Sequence, residues 1–192
     1  MNKIPFFSLF LIVLNSCQNT STFTEHKTKN FSIEIRSDLN ETNDLNDDAV
    51  LQFKNEFEEL YLIVLEETKT DVAQYFPEII EENDPEKRIE LYADVLSENY
   101  EANFDLENYS GYMPKEINGS SAIEMTFNAV ESKNGLNVFY YVTFIETDTH
   151  FYQILTWTLF NKKAEMIDSM EKMILSFKSR DQKAKLKKAT KG

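Results

Sequence analysis

The chain has 192 residues, with 20 basic and 33 acidic side chains, 42% hydrophobic residues, 15 Phe, 9 Tyr, 1 Trp, four Gly, four Pro and one Cys. A body of roughly 150 residues buries about 70% of its unfolded surface, enough for one core without disulfides, and a lone Cys excludes any intrachain bridge. The formal charge of −13 argues against a body that grips nucleic acid through its phosphates, and the apolar content argues against wholesale disorder.

Met1-Asn2-Lys3 supplies one positive charge, and Ile4 to Leu14 is an apolar run broken only by Pro5 and Ser8. A membrane-spanning helix needs about 20 apolar residues, so this run is too short to span and is the core of a signal peptide. Leu14-Asn15-Ser16-Cys17 then resembles the bacterial lipoprotein signal, with Asn15 where Ala, Ser or Thr is more usual. That resemblance implies removal of residues 1–16, a diacylglyceryl thioether on Cys17 and a further amide-linked chain such as palmitate. One acyl chain binds a membrane marginally and two or more bind durably. Gln18 stands where an Asp would signal inner-membrane retention, so the resemblance implies the outer membrane. The stretch 18–22 lacks the acidic cluster of some surface-displayed lipoproteins, which favours the periplasmic face. Residues 17–30 read as lipidated Cys and flexible tether, polar and without helical or strand period.

Phe31-Ser32-Ile33-Glu34-Ile35 alternates apolar and polar, the pattern of a half-buried strand, and opens the folded domain, expected over 31–178. Asp38 to Asp48 is an Asn/Asp-rich loop; Val50 to Lys54 resumes as a strand, and Asn55 to Glu59 turns into the continuous apolar run Leu60 to Leu65. A short helical segment from Asp71 stops before Pro77. A longer one opens at Asp84-Pro85-Glu86, where Asp caps an orphan amide and Pro lacks one, with Ile89, Tyr92, Ala93, Leu96 and Tyr100 on one face. Strands return over Tyr109 to Ile117, Ala122 to Val130, Val138 to Ile145 and Phe151 to Leu159, separated by Asn118-Gly119, Asn134-Gly135 and Thr147-Asp148-Thr149. A terminal helix carries Ile167, Met170, Ile174 and Phe177. The whole predicts an α+β fold: a central antiparallel sheet of about six or seven strands flanked by helices.

The opening strand, the run Leu62-Ile63-Val64-Leu65-Glu66-Glu67, the segment Phe151 to Thr158 and the helix ending Met173-Ile174-Leu175-Ser176-Phe177-Lys178 resemble the PsbP/DcrB-like superfamily. Arg36 stands where many relatives have Pro. The resemblance covers residues 31–178 and implies an α/β/α sandwich in a bacterial lipoprotein member. Members include an extrinsic subunit of the photosynthetic oxygen-evolving complex and a Ran-binding protein, so it implies partner binding without a shared enzyme chemistry; fold alone does not imply function.

The chemical inventory is thin. His26 and His150 are the two histidines, the one in the expected tether and the other at a turn, so any Ser/His/Asp triad would have to use His150. With Cys17 consumed by lipidation, zinc clusters of Cys and His are excluded, and no Gly-rich phosphate loop is present. Many carboxylates guarantee incidental pairs, so a hydrolytic site among them has little support. Asp44, Asn46 and Asp48 have the oxygen-ligand spacing that begins a calcium loop, but Ala49 replaces the turn Gly and Asn55 the bidentate Glu, so a hydrated loop is the stronger reading. The tail 179–192 carries Arg180, Lys183, Lys185, Lys187, Lys188 and Lys191 against Asp181, opposite in sign to the body, and is a solubilising tail or a contact for anionic lipid, the former being the plainer reading. The expectation is a non-enzymatic, cofactor-free envelope lipoprotein. It binds the membrane through its anchor and an envelope protein through its domain, and does not bind nucleic acid. The alternative is a small-molecule or lipid carrier whose doubly apolar strand Val138 to Ile145 lines a pocket.

Overall fold

The computed structural model describes residues 21–130 and 135–180, without the side chains of 99, 101 and 103. The expected signal peptide, Cys17 and the tail lysines from Lys183 onward lie outside the described residues. In chain order the elements are β1 (Phe23–Lys27), β2 (Phe31–Arg36), β3 (Asn40–Glu41), β4 (Leu51–Asn55), β5 (Leu60–Thr68), α1 (Lys69–Tyr75), α2 (Pro77–Glu81) and α3 (Pro85–Asn103). They continue with β6 (Leu106–Glu107), β7 (Met113–Ile117), β8 (Ser120–Val130), β9 (Asn137–Glu146), β10 (His150–Leu159), a 3-10 turn (Phe160–Lys162), α4 (Lys163–Leu175) and β11 (Lys178–Ser179).

The fold is α+β, as the pattern predicts. The main sheet has eight strands, ordered β3-β4-β5-β10-β9-β8-β6, with β7 also paired to β8, and every pairing is antiparallel. Strand β9 fixes its middle. Val138, Tyr140, Val142 and Phe144 enter one core and Phe139, Tyr141 and Ile145 the other, so both faces of the sheet have to be covered. Helix α3, opened by Asp84 accepting from the Glu86 amide, lays Ile89, Tyr92 and Ala93 on the first face, joined by Val72 of α1 and Ile79 of α2. Helix α4 covers the second face with Met166, Met170, Met173 and Ile174.

Four features depart from the sequence reading. The domain begins before Phe31: Phe23–Lys27 lies within the expected tether yet pairs along β2, its exposed side chains hiding it from any apolar period because it is an edge strand held by backbone pairing. Strand β2 does not join the main sheet. With β1 and β11 it forms a separate three-stranded sheet beside α4, fastened by Phe31, Tyr152 and Phe177, whose ring centroids lie 4.9–5.4 Å apart. The strand expected from Tyr109 starts only at Met113, because Asn108 (φ 52°) and Gly111 (φ 71°) turn the backbone out of the extended region. On α4 the buried stripe runs through Met166 and Met173 rather than Ile167, which is only partly buried. The Asn118-Gly119 turn is as expected, with φ 49° and 85°, and Asn118 Nδ2 donates to the carbonyls of Leu175 and Phe177, pinning the end of α4.

Burial raises the pKa of Tyr92, Tyr100, Tyr112 and Tyr141, and pushes that of Tyr61 up to about 12. The folded state therefore holds these protons more tightly than the unfolded chain, whose tyrosines titrate near pH ~10, so stability is full below that pH and is lost as pH rises above it. Tyrosinate absorbance should rise in one cooperative step coincident with loss of far-ultraviolet circular dichroism, rather than ahead of it.

Candidate functional site

The buried charges are tied into the scaffold. Glu146, at the end of β9 and 6% exposed, accepts from Lys69 at the start of α1 and, at 2.6 Å, from Arg88 Nε in α3, while Arg88 Nη1 donates to the Glu82 carbonyl. One carboxylate thus fastens two helices to the sheet, although its second oxygen, Oε2, is buried without a hydrogen-bond partner. On the opposite face Glu124 of β8 pairs with Lys115 of β7 at 2.8 Å, and burial followed by the Glu124 carboxylate raises the pKa of Tyr141 on the adjacent strand. Tyr92 donates to Glu67 at 2.6 Å, tying α3 to β5.

His150 closes the β9–β10 turn. Its Nδ1 meets the Thr149 hydroxyl at 2.6 Å and its Nε2 lies 3.5 Å from both Glu66 and Asn30, while Asn30 Nδ2 already donates to that Glu66 oxygen at 2.6 Å. Thr147 Oγ1 accepts the His150 amide and donates to its carbonyl, which accounts for the turn residues as turn residues. The cluster joins the β1–β2 turn to β5 and β10.

The calcium-type loop is occupied by its own bonds. Lys54 Nζ sits 2.8 Å from Asp44 Oδ2, Thr42 donates to Asp44 Oδ1, and the Lys54 contact followed by Thr42 holds the Asp44 carboxyl below its usual pKa. Asn46 Oδ1 accepts the Asp48 amide, and Gln52 binds the amides of Leu45 and Asn46 and the Asn46 carbonyl. Among the described residues no group of three His, Cys, Asp or Glu side chains is placed to hold a metal ion. Of the six basic membrane-contact candidates, only Arg180 is described: it is exposed, and its guanidinium donates to the Thr28 carbonyl at 2.7 Å while its amide donates to Asn30.

What remains open is aromatic. The helices leave one corner of the sheet uncovered, where Tyr61 and Trp157, direct partners across β5 and β10, stack at 5.2 Å and 8°. Trp157 continues into Tyr140 at 6.4 Å and Tyr140 into Phe127 at 5.0 Å, so a run of rings crosses four strands and passes beneath α3. Tyr61 and Trp157 floor a groove of about 320 Å³, completed by Leu45, Leu136, Val138 and Leu159, with Glu59 accepting the Tyr61 hydroxyl at its edge. Among the described residues no helix contributes to its lining. Sequence reading missed this groove, because the pairing of Tyr61 with Trp157 is a matter of sheet register between strands far apart in the chain.

No family model and no curated protein matches the chain by sequence. Its structure is similar to cyanobacterial PsbP (CyanoP) from Synechocystis sp. PCC 6803, with a TM-score of 0.54 and 9% identity, covering 86% of this chain and 98% of that one. It is also similar to LpqN, involved in cell envelope biogenesis of Mycobacterium tuberculosis, with a TM-score of 0.55 and 12% identity, covering 84% of this chain and 92% of that one. The fold is PsbP-like. No helix among the described residues is long and apolar enough to cross a membrane.

Glu146→Ala removes the carboxylate that two cations share and should cost about 3–5 kcal/mol, read as a lower midpoint in urea. Millimolar calcium should leave the melting temperature unchanged, because the Asp44 carboxylate is committed to Lys54 and Thr42.

Proposed function

We propose that this chain is a membrane-anchored bacterial envelope lipoprotein whose domain binds a protein partner without catalysing a reaction. The observation that carries the reading is the Tyr61–Trp157 groove: a stacked aromatic floor with no described helix in its lining, while the buried carboxylates elsewhere in the fold are already spent on fastening the scaffold. Aromatic side chains supply a large apolar contact area with a polar tip and are favoured where a partner's side chain inserts. In this reading residues 1–16 are removed, Cys17 is acylated, and a short tether leads into β1 and holds the domain at the outer membrane facing the periplasm. The basic tail contributes solubility. The similarity to LpqN, a protein of cell envelope biogenesis, supports the envelope setting.

The carrier reading is the weaker of the two. From Val138 to Ile145 the side chains of β9 are 0–7% exposed and serve as core, and Val138 alone of these also lines the groove. Nothing in the His150 cluster requires a reaction, since each contact holds the turn or the neighbouring strand.

Crosslinking in native envelopes, followed by affinity capture and mass spectrometry, tests the reading. Wild type should capture a stoichiometric protein; Trp157→Ala should reduce its yield by tenfold or more, a loss of about 1.4 kcal/mol or greater in binding, with the domain still folded by circular dichroism. Capture of a lipid or metabolite in place of a protein, or a protein yield indifferent to Trp157→Ala, contradicts it.

A further inference from the structure

The rim of the main sheet at the starts of β5 and β9 and the end of β10 is unusually apolar. Phe57 is 88% exposed, Phe160 44% and Leu136 44%. Thr158 pairs with Leu60 and Leu159 with Val138, so the residues just past these pairs, Phe57 in the β4–β5 turn, Phe160, and Leu136, stand along one rim. Lys162 Nζ donates to the Phe57 carbonyl at 3.2 Å, fastening the turn to the end of β10.

The N-terminal chain enters the domain at this same end. The Ser37 amide donates to the Thr22 carbonyl at 2.9 Å, Asn55 Nδ2 donates to the Asp38 carbonyl at 3.0 Å, and Asn55 Oδ1 accepts the Phe57 amide at 3.1 Å. Three bonds thus lead from the point of entry to the exposed ring. Between Cys17 and Thr22 an extended chain reaches at most ~17 Å. The other terminus leaves elsewhere: Ser179 pairs with Phe31, at the opposite end of β2 from the Phe23 pair with Arg36.

We infer that this rim contacts the lipid bilayer, with Phe57 seated at the lipid–water interface and the domain standing on its Phe57 end. The inference rests on the proposed acylation of Cys17 and gives that anchor an orientation. A tether this short converts a contact too weak to form from solution into an intramolecular one at high effective concentration. Burying an aromatic ring in the interface removes apolar surface from water, while Lys162 keeps its ammonium at the surface. Near the rim Asp38 pairs with Arg36, Asp44 and Glu56 share Lys54, and Glu59 accepts from the Tyr61 hydroxyl, whereas Glu58, next to Phe57, is only partly buried. The contact proposed here is apolar, so salt does not screen it, unlike contact through the basic tail.

The single Cys makes the test direct. The chain from Cys17 to Gly192, which contains every described residue, is coupled through Cys17 to a maleimide lipid in neutral phosphatidylcholine vesicles. In a Trp157→Phe background, Phe57→Trp supplies the only indole, and its exposure spares the fold, which circular dichroism verifies. Its emission should shift to the blue on coupling and be quenched by brominated acyl chains at low and high salt alike. Asp148→Trp in the same background, at the β9–β10 turn on the opposite end of the sheet, should keep a water-like emission. An unshifted and unquenched Phe57→Trp, or equal quenching at both positions, overturns the proposal. Because the maleimide lipid supplies the anchor, the outcome is independent of whether cells acylate Cys17, which detergent partitioning of wild type against Cys17→Ala reads separately.

Discussion

Strand β9 is apolar on both faces, and that constraint organises the molecule. Its side chains alternate between two cores, so the sheet cannot leave either face in water. One face is covered by α1, α2 and α3, the other by α4 and the small sheet built on β2. The strands flanking β9 inherit this cover, but at the β5–β10 corner no helix reaches, and the aromatic floor there is the margin of a core whose cover stops short. The proposed binding surface and the core are one continuous run of rings, differing in whether a helix lies above.

Charge is used inside the fold as fastening. Glu146 joins helices that meet the sheet from different parts of the chain, and Glu124 holds edge strand β7. Removing one member of such a pair leaves a buried charge uncompensated, so these residues constrain the scaffold strongly while offering little to a substrate. The acidic surface that dominates the composition is a separate matter, exposed and locally neutralised by Lys54 and Arg36 near the point where the described chain enters the domain.

Legibility followed the range of the determining interaction. Asp84-Pro85 and Asn118-Gly119 are local chemistry, and both turn up in place, as do the strands read for β9 and β10. Strand β1 was illegible because its apolar content is one ring, Phe23, and its stability comes from β2. The separation of β2 from the main sheet was equally hidden, since an alternating strand records that one face is buried and not which layer buries it. The groove and the Lys69–Glu146–Arg88 cluster depend on register and on contacts between distant segments. A signal for the rim did exist: Phe57 is an aromatic in the otherwise polar turn Asn55 to Glu59, where solvent exposure is the default.

The point where the described chain enters at Thr22, the rim and the groove lie toward one end of the sheet, and Ser179, near the last described residue, pairs at the end of β2 away from it. The account is therefore one of a domain held close to a membrane and presenting an aromatic surface beside it, and all of it depends on Cys17. The most direct test is the intact mass of the N-terminal peptide of the protein isolated from its native membrane. The account predicts a peptide beginning at Cys17 and carrying a diacylglyceryl group with or without an amide-linked acyl chain. A peptide retaining residues before an unmodified Cys17, recovered from the soluble fraction, would contradict it.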